Sequence, residues 1–557
     1  MLKAIKLFIM KKRQSLSFTG NLVIFFLTIL SIVTLYISCS SFWVDIGGIN
    51  VDDRQILFFE PFFVVVLSII FFFPRIRSSS TRYLLPLTPI LIFYLSFDIF
   101  YSFLKRAPHP SDLRNIYTIF DFYPLFGIVV ILLILITTTI LLLLLTWSIA
   151  RRYSSGEILI SLLYRFAFCL IAVFLLFSGN LSKKYTETFN YIDWSQERTI
   201  RNNGRFSSFV YYWMQEKQNK AVLNSFSKNY ISKNIDIYKT LYSDSELIRN
   251  RNIHIIVLES FLDPRLIENA TFNPSPLSQE LVPFMLDGKR FSLVTSPVYG
   301  GRTAQAEFEL LAGVQALAKI DSIEFNVMLG KEASSFIKKL TDSGYESIAT
   351  IASSSGYFNS KQAYKSLGFN KITFLKDIDK FHDPAWMPIF DTDVFQYHVN
   401  DIENMIKSKE KPIVSYILGM YGHFPYETDQ QKQPDVIEVK HEDDRLKKIA
   451  NQFFYRTQAV AEYIKHLLSI DPDSIIYITS DHLPPILWDG TKYKLDQQVN
   501  VSLLLDAGKP VDISGAKYFQ VPLVIWNILT GKNRSHQIDD DVMENLYFKF
   551  LSESTCK

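Results

Sequence analysis

Apolar residues crowd into the first third of the chain, in five runs at about 21–44, 56–73, 83–104, 123–149 and 158–177. Each comes near the roughly 20 residues a helix needs to cross about 30 Å of hydrocarbon. They are apolar on every face instead of along one stripe, unlike the helices of a soluble core. A cleaved leader accounts for the first run but not for five in succession. The pattern predicts an N-terminal bundle of five transmembrane helices over residues 1–180. Residues 181–251 are polar and aromatic, with Trp194, Phe206, Tyr211, Tyr212 and Trp213, as suits an interfacial neck.

From residue 252 the pattern changes to short apolar strands alternating with amphipathic helices. Strands are predicted at 254–258, 347–351, 413–418, 474–478 and 521–526, and helices at 332–340 and 446–468. Such alternation predicts a C-terminal α/β sandwich with a mainly parallel sheet over residues 252–557. Ligands gather beyond the carboxyl ends of the strands in such sheets.

Charge sets the orientation. Lys3, Lys6, Lys11, Lys12 and Arg13 place the N-terminus in the cytoplasm, and Arg75, Arg77, Arg82, Arg151 and Arg152 mark two further cytoplasmic loops. Five crossings then put everything after about residue 178 outside, where any transferred group must come from an already activated donor. The outward loop 105–112 departs from the rule with Lys105 and Arg106. It reads equally well as a lipid-phosphate site and as interfacial anchors. The net charge of +3 is too small to argue for nucleic acid, and no basic-aromatic nucleic-acid motif is present. Three cysteines, two of them in apolar runs, exclude a disulfide framework and a cysteine zinc site.

The candidate chemistry begins at Gly300-Gly301-Arg302-Thr303, which opens a segment with Phe308, Leu311 and Val314 at helical spacing. A helix start offers unpaired N–H groups and a positive dipole end to an anion. Two glycines permit close approach, and Arg302 adds a fork suited to phosphate oxygens. Thr303 stands where a phosphoryl group can be attacked, or it simply caps the helix. Three polar groups follow predicted strands: Glu259, His423, and the pair Asp481 and His482. Parallel strands bring such ends to one rim. Two carboxylates, an imidazole and an alkoxide can complete a four-coordinate site for a divalent metal, which lowers the hydroxyl pKa of Thr303.

Residues 255–260 with Glu259, 300–308 with Thr303, Gly422-His423-Phe424-Pro425-Tyr426 and Ser480-Asp481-His482-Leu483-Pro484 resemble the ordered motifs of the lipoteichoic acid synthase and phosphoglycerol transferase family. That family is sulfatase-like and belongs to the alkaline phosphatase superfamily. The resemblance covers nearly the whole chain. It implies a manganese-like ion held by Glu259, Thr303, Asp481 and His482, with Mg²⁺ or Zn²⁺ as other choices, and Thr303 as the nucleophile. It also implies a membrane lipid donor, phosphatidylglycerol, and a glycan or polymer acceptor, reached through a glycerophospho-threonine. By the same carry-over, His423 supports the phosphoryl group or the incoming and leaving oxygens, in an enzyme of the bacterial cytoplasmic membrane whose catalytic domain is extracytoplasmic.

One segment departs from the family. Ile351, Ser353, Phe358 and Ser360 stand where the synthase carries a histidine, an acid, a tryptophan and an arginine. Phe358 keeps an aromatic wall, and Lys361 stands one position beyond the lost arginine. A phosphoethanolamine transferase using phosphatidylethanolamine is therefore an alternative reading, and a non-catalytic membrane scaffold is a second. A sulfatase proper needs a cysteine or serine nucleophile in a modification motif, and the outer part has no cysteine before Cys556.

Overall fold

The structure is a computed structural model that describes residues 185–230, 251–379, 388–408, 410–532 and 537–555, with isolated positions between 60 and 112, at 167 and between 241 and 250. The five runs predicted to span a membrane lie almost entirely outside these residues. Among the described residues, no helix is long and apolar enough to cross a membrane. The chain forms two compact units, Met1–Ile192 with Gln196–Lys217, and Asp193–Ser195 with Gln218–Lys557.

In the first unit, helix α1 (Gln196–Asn203) is followed by α2 (Arg205–Tyr230), whose later turns belong to the second unit. The start of α2 is capped from far along the chain. Buried Glu60 accepts the backbone N–H groups of Arg205, Phe206 and Ser207 at 3.0, 3.1 and 2.8 Å. A carboxylate here satisfies donors that have no intrahelical partner and meets the positive dipole end. Arg106 is buried and forked onto Asp112 at 2.6 and 2.8 Å. Its charge is met within its own loop.

The strands of the second unit are β1 (Ile253–Leu258), β2 (Thr271–Asn273), β3 (Ser292–Thr295), β4 (Glu346–Ile351), β5 (Lys371–Phe374), β6 (Ile413–Gly419), β7 (Glu438–Lys440), β8 (Ile475–Ser480), β9 (Val499–Asp506) and β10 (Lys509–Val511). Eight form one sheet in the order β10-β9-β8-β1-β6-β4-β5, with β3 also on β9. β8, β1, β6, β4 and β5 are parallel, whereas β9, β10 and β3 join antiparallel. The sheet is thus mixed: the predicted parallel centre carries an antiparallel flank.

Side chains of β1 alternate between two buried faces. Ile253, Ile255 and Val257 join one apolar layer with helices α3 (Thr303–Ala312), α4 (Phe336–Asp342), α7 (Val521–Thr530) and α8 (Asp540–Thr555). Ile256 and Leu258 join the other with α5 (Asp391–Ser408) and α6 (Arg445–Ile470). Burial on both faces is why these strands are mostly apolar along their length and do not alternate with polar residues. Each such side chain contributes about 1.5–3 kcal/mol by leaving water.

The expected strand at 521–526 is instead helix α7. Pro522 lies in its first turn and Gly531, at φ 66°, closes it in the left-handed region. Val521, Leu523, Ile525, Trp526 and Leu529 are all buried, so the run shows no periodicity to separate helix from strand. The proline before and glycine after are the signal that decides it. Helix α4 starts later than expected, at Phe336, because the Ser335 hydroxyl caps it by accepting Lys338 N–H at 2.8 Å.

Candidate active site

Register brings the chemistry together. Leu258 is level with Gly419 on β6 and with Ser480 on β8. Glu259 and Asp481 therefore leave adjacent strands at the same height, and the loop carrying His423 leaves the third. The turn after β1 is fixed by side chains of its neighbour: Asp481 Oδ1 accepts Ser260 N–H at 2.8 Å, and Ser480 Oγ accepts Phe261 N–H at 2.9 Å.

Glu259, Asp481 and His482 are buried, and each offers a ligand atom within 4.8 Å of the others. The His482 Nδ1 side faces the Leu483 carbonyl at 3.0 Å, which turns Nε2 toward Asp481 Oδ2 at 3.1 Å and Glu259 Oε1 at 3.5 Å. Such a second contact sets the tautomer of a ligating histidine. Asp481 Oδ1 also accepts His482 N–H at 2.7 Å, while buried Oδ2 accepts no hydrogen bond. An oxygen left so, between a second carboxylate and an imidazole, fits a cation.

The electrostatics agree. Burial and the Glu259 carboxylate push Asp481 well above the usual carboxylate range. Burial also acts to raise Glu259, but His482, His423 and hydrogen bonds from Asp481 and Ser260 outweigh it and hold it below the usual carboxylate range. Burial favours neutral His482, yet the two carboxylates raise its pKa. Two carboxylates this close do not both ionise unless positive charge joins them. Mn²⁺ added to metal-stripped protein at about 100 times its dissociation constant should stabilise the fold by about 2.7 kcal/mol. The rise in thermal midpoint measures this, and Asp481→Asn should remove most of it.

Thr303 occupies the first position inside α3, and Arg302 before it is the N-cap residue, in the left-handed region at φ 64° without a side-chain cap. The capping alternative for Thr303 therefore does not hold. Its hydroxyl donates instead to Glu259 Oε2 at 3.2 Å. Gly300, at φ 69°, donates its N–H to the Leu483 carbonyl at 3.2 Å and ties the glycine turn to the loop after β8.

The other expected site residues divide. His423 is exposed, close enough to lower Glu259, and its Nδ1 lies 2.6 Å from the Phe424 carbonyl. Arg302 is half exposed and pairs with Asp193 at 3.4 Å. Phe358 and Lys361 stand on another loop, outside the close group of Glu259, Asp481, His482 and Thr303. Phe358 is half-buried against the apolar layer, and Lys361 lies in the first turn of the short helix Ser360–Ser366.

Sequence reasoning missed two supports. Buried Arg456 on α6 donates to the Glu259 carbonyl at 2.8 Å and to Asp391 at 2.7 Å. A charged residue on the apolar face of a helical pattern, between Phe453 and Val460, was the available signal. Glu307, one turn after Thr303, is buried and accepts the hydroxyls of Tyr364 and Tyr416. Burial pushes it up to about 7 despite both donors. The fold therefore favours its protonated form, a contribution complete below the unfolded value near 4.5 and lost as pH rises through 7. Glu307→Gln should gain stability relative to the wild type between pH 5 and 8, by about 3 kcal/mol at most. Denaturation midpoints at the two pH values test it.

A mixed sheet bearing carboxylates and an imidazole close enough to hold a metal ion at the carboxyl ends of its parallel strands, beside a helix-borne hydroxyl, defines an α/β domain of the alkaline-phosphatase type. The chain belongs to the sulfatase family, whose profile matches residues 251–547. It is 23% identical over 360 residues to a candidate cyclic β-1,2-glucan modification protein of Rhizobium meliloti, covering 62% of this chain and 52% of that one. It is 24% identical over 312 residues to the lipoteichoic acid synthase-like YvgJ of Bacillus subtilis, covering 52% and 46%. The Streptococcus pyogenes phosphoglycerol transferase GacH, solved with sn-glycerol-1-phosphate, superposes with a TM-score of 0.42 at 17% identity, over 60% of this chain and 91% of that one. The chain spans about half the length of the curated relatives it matches.

Proposed function

We propose that the protein is a metal-dependent phosphotransferase that moves glycerol phosphate from phosphatidylglycerol to a cell-surface glycan or polymer through a phospho-threonine intermediate. The carrying observation is the hydroxyl of Thr303 in contact with Glu259, itself one of three residues grouped closely enough to share a metal ion. The similarity to a lipoteichoic acid synthase-like protein and to a glucan modification protein supports the same reading.

In this reading Thr303 loses its proton and its Oγ1 bonds to phosphorus. The ester bond to the diacylglycerol oxygen breaks, and that oxygen leaves with a proton. An acceptor hydroxyl then attacks the same phosphorus, the bond to Oγ1 breaks, and Thr303 recovers its proton. Glu259, Asp481, His482 and Thr303 would hold the divalent ion, Mn²⁺ in this proposal, which supplies charge neutralisation and a lowered hydroxyl pKa. The amino end of α3 adds its dipole to the binding of the phosphoryl oxygens. Arg302 and His423 bind those oxygens from the rim, and Phe358 and Lys361 line the donor side. In this reading residues 252–557 work on the outer side of a bacterial cytoplasmic membrane.

Incubation with labelled phosphatidylglycerol and Mn²⁺, followed by mass spectrometry of the peptide containing Thr303, tests the proposal. Diacylglycerol release with a glycerophosphate adduct on Thr303 is the expected result. Release without an adduct, or an adduct on another residue, removes the nucleophile assignment. An ethanolamine phosphate adduct would exchange the donor.

A further inference from the structure

Three residues break the division of the chain into two units. Asp193, Trp194 and Ser195 belong with the second, although the residues on both sides of them belong with the first. They are fastened by main-chain contacts. The Trp194 carbonyl accepts Phe358 N–H at 3.1 Å, Ser195 pairs with Tyr357 in an antiparallel bridge, and Asn326 Nδ2 donates to the Asp193 carbonyl at 2.7 Å. The receiving loop is itself held under strain. Phe358 and Asn359 lie consecutively in the left-handed region, at φ 48° and 56°, and the Asn359 amide is anchored to the Phe325 and Met328 carbonyls at 2.8 Å each. Strained, over-determined backbone of this kind gathers where a site must be presented.

The strap brings an acid to Arg302, the residue beside Thr303, and an indole to Tyr357. Asp193 Oδ2 meets Arg302 Nη2 at 3.4 Å and accepts the Ser322 hydroxyl at 3.3 Å. The Trp194 ring stands edge-on to Tyr357 at 6.1 Å, and Tyr357 is 39% exposed. The Asp193–Arg302 contact is single, long and half exposed, and such pairs add little to stability. The strap does not need it as a fastener.

We propose that Asp193, Arg302, Trp194 and Tyr357 form a subsite for the hydroxyl-bearing head group of the phosphodiester donor, selecting a polyol over an ammonium. The pair sums to no net charge, so it offers a cationic head group no excess attraction. Its carboxylate accepts hydrogen bonds from vicinal hydroxyls, its guanidinium donates to phosphate oxygens, and the rings cover the carbon skeleton. Asp193 and Trp194 precede the residues matched by the family profile, 251–547, whereas Arg302 and Tyr357 lie within them. This inference rests on the transferase reading above.

The test uses the full chain in detergent with Mn²⁺, reading diacylglycerol release from phosphatidylcholine vesicles doped with phosphatidylglycerol or with phosphatidylethanolamine. The wild type should prefer phosphatidylglycerol. Asp193→Ala should raise KM for it about tenfold with kcat changed less than about threefold, the pattern of lost uniform binding, and the preference should collapse. Asp193→Asn, which keeps the shape of the strap, should shift KM and preference in the same direction and covers a folding failure of the alanine variant. Unchanged KM and preference in both variants overturn the subsite and leave the transferase reading standing. A wild-type preference for phosphatidylethanolamine also overturns it. Release from neither lipid by the wild type removes both.

Discussion

Thr303→Ala should lower diacylglycerol release by on the order of 10⁴-fold or more, because a nucleophile that forms a covalent intermediate has no partial substitute. Stability should change little. The hydroxyl makes a 3.2 Å hydrogen bond to Glu259 and does not cap α3, so its loss costs about 1 kcal/mol. Alanine recovers part of that through its higher helix propensity. Thr303→Ser keeps the nucleophilic oxygen but loses the methyl group that restricts χ1. A loss of about 10- to 100-fold is expected there, as oriented attack becomes one of several rotamers. Steady-state release on phosphatidylglycerol vesicles, beside thermal denaturation of each variant, separates these outcomes. Activity within about tenfold of wild type for Thr303→Ala would remove the covalent mechanism.

The site was legible where a strand end and a polar residue coincide. β1, β6 and β8 are buried on both faces, so their sequences are mostly apolar, broken by His254, Ser415, Thr479 and Ser480, and the first carboxylate or imidazole beyond each strand end marks the rim. This is why Glu259, His423, Asp481 and His482 could be named together without coordinates. Antiparallel β9 and β3 were not foreseen. Their neighbours are fixed by pairing across long sequence separations, Ser292 with Ser502 for instance, which no local pattern announces. Helix α7 was misread as a strand because an all-buried run has no period. Arg302, expected to face a phosphate, also meets Asp193, a partner 109 residues earlier in the chain and in a segment read as a neck. Composition marks such a segment as polar and aromatic but says nothing of where its carboxylate goes.

Arg456 shows how the Glu259, Asp481 and His482 group depends on a residue outside it. Its guanidinium and the Asp391 carboxylate are both almost fully buried, and Arg456 also lies 5.2 Å from the centre of the Phe261 ring. Removing one partner of such a pair leaves the other charged and uncompensated, so Arg456→Ala should destabilise the second unit by about 3–5 kcal/mol. It should also free the Glu259 carbonyl and loosen the turn that aims the Glu259 side chain. Gly422→Ala separates these two effects. Both charges remain, but a Cβ at Gly422 would overlap the Arg456 guanidinium and the Glu259 carbonyl oxygen at once. One of them has to move, and either movement displaces Glu259. Gly422→Ala should therefore weaken Mn²⁺ binding about 10- to 100-fold, the usual cost of disturbing the support of a ligand. It should destabilise less than Arg456→Ala does. Titration calorimetry with Mn²⁺ and denaturation without it measure the two quantities independently. If Gly422→Ala lowered stability while its Mn²⁺ affinity matched the wild type, Arg456 would be a fastener of the core with no part in holding Glu259.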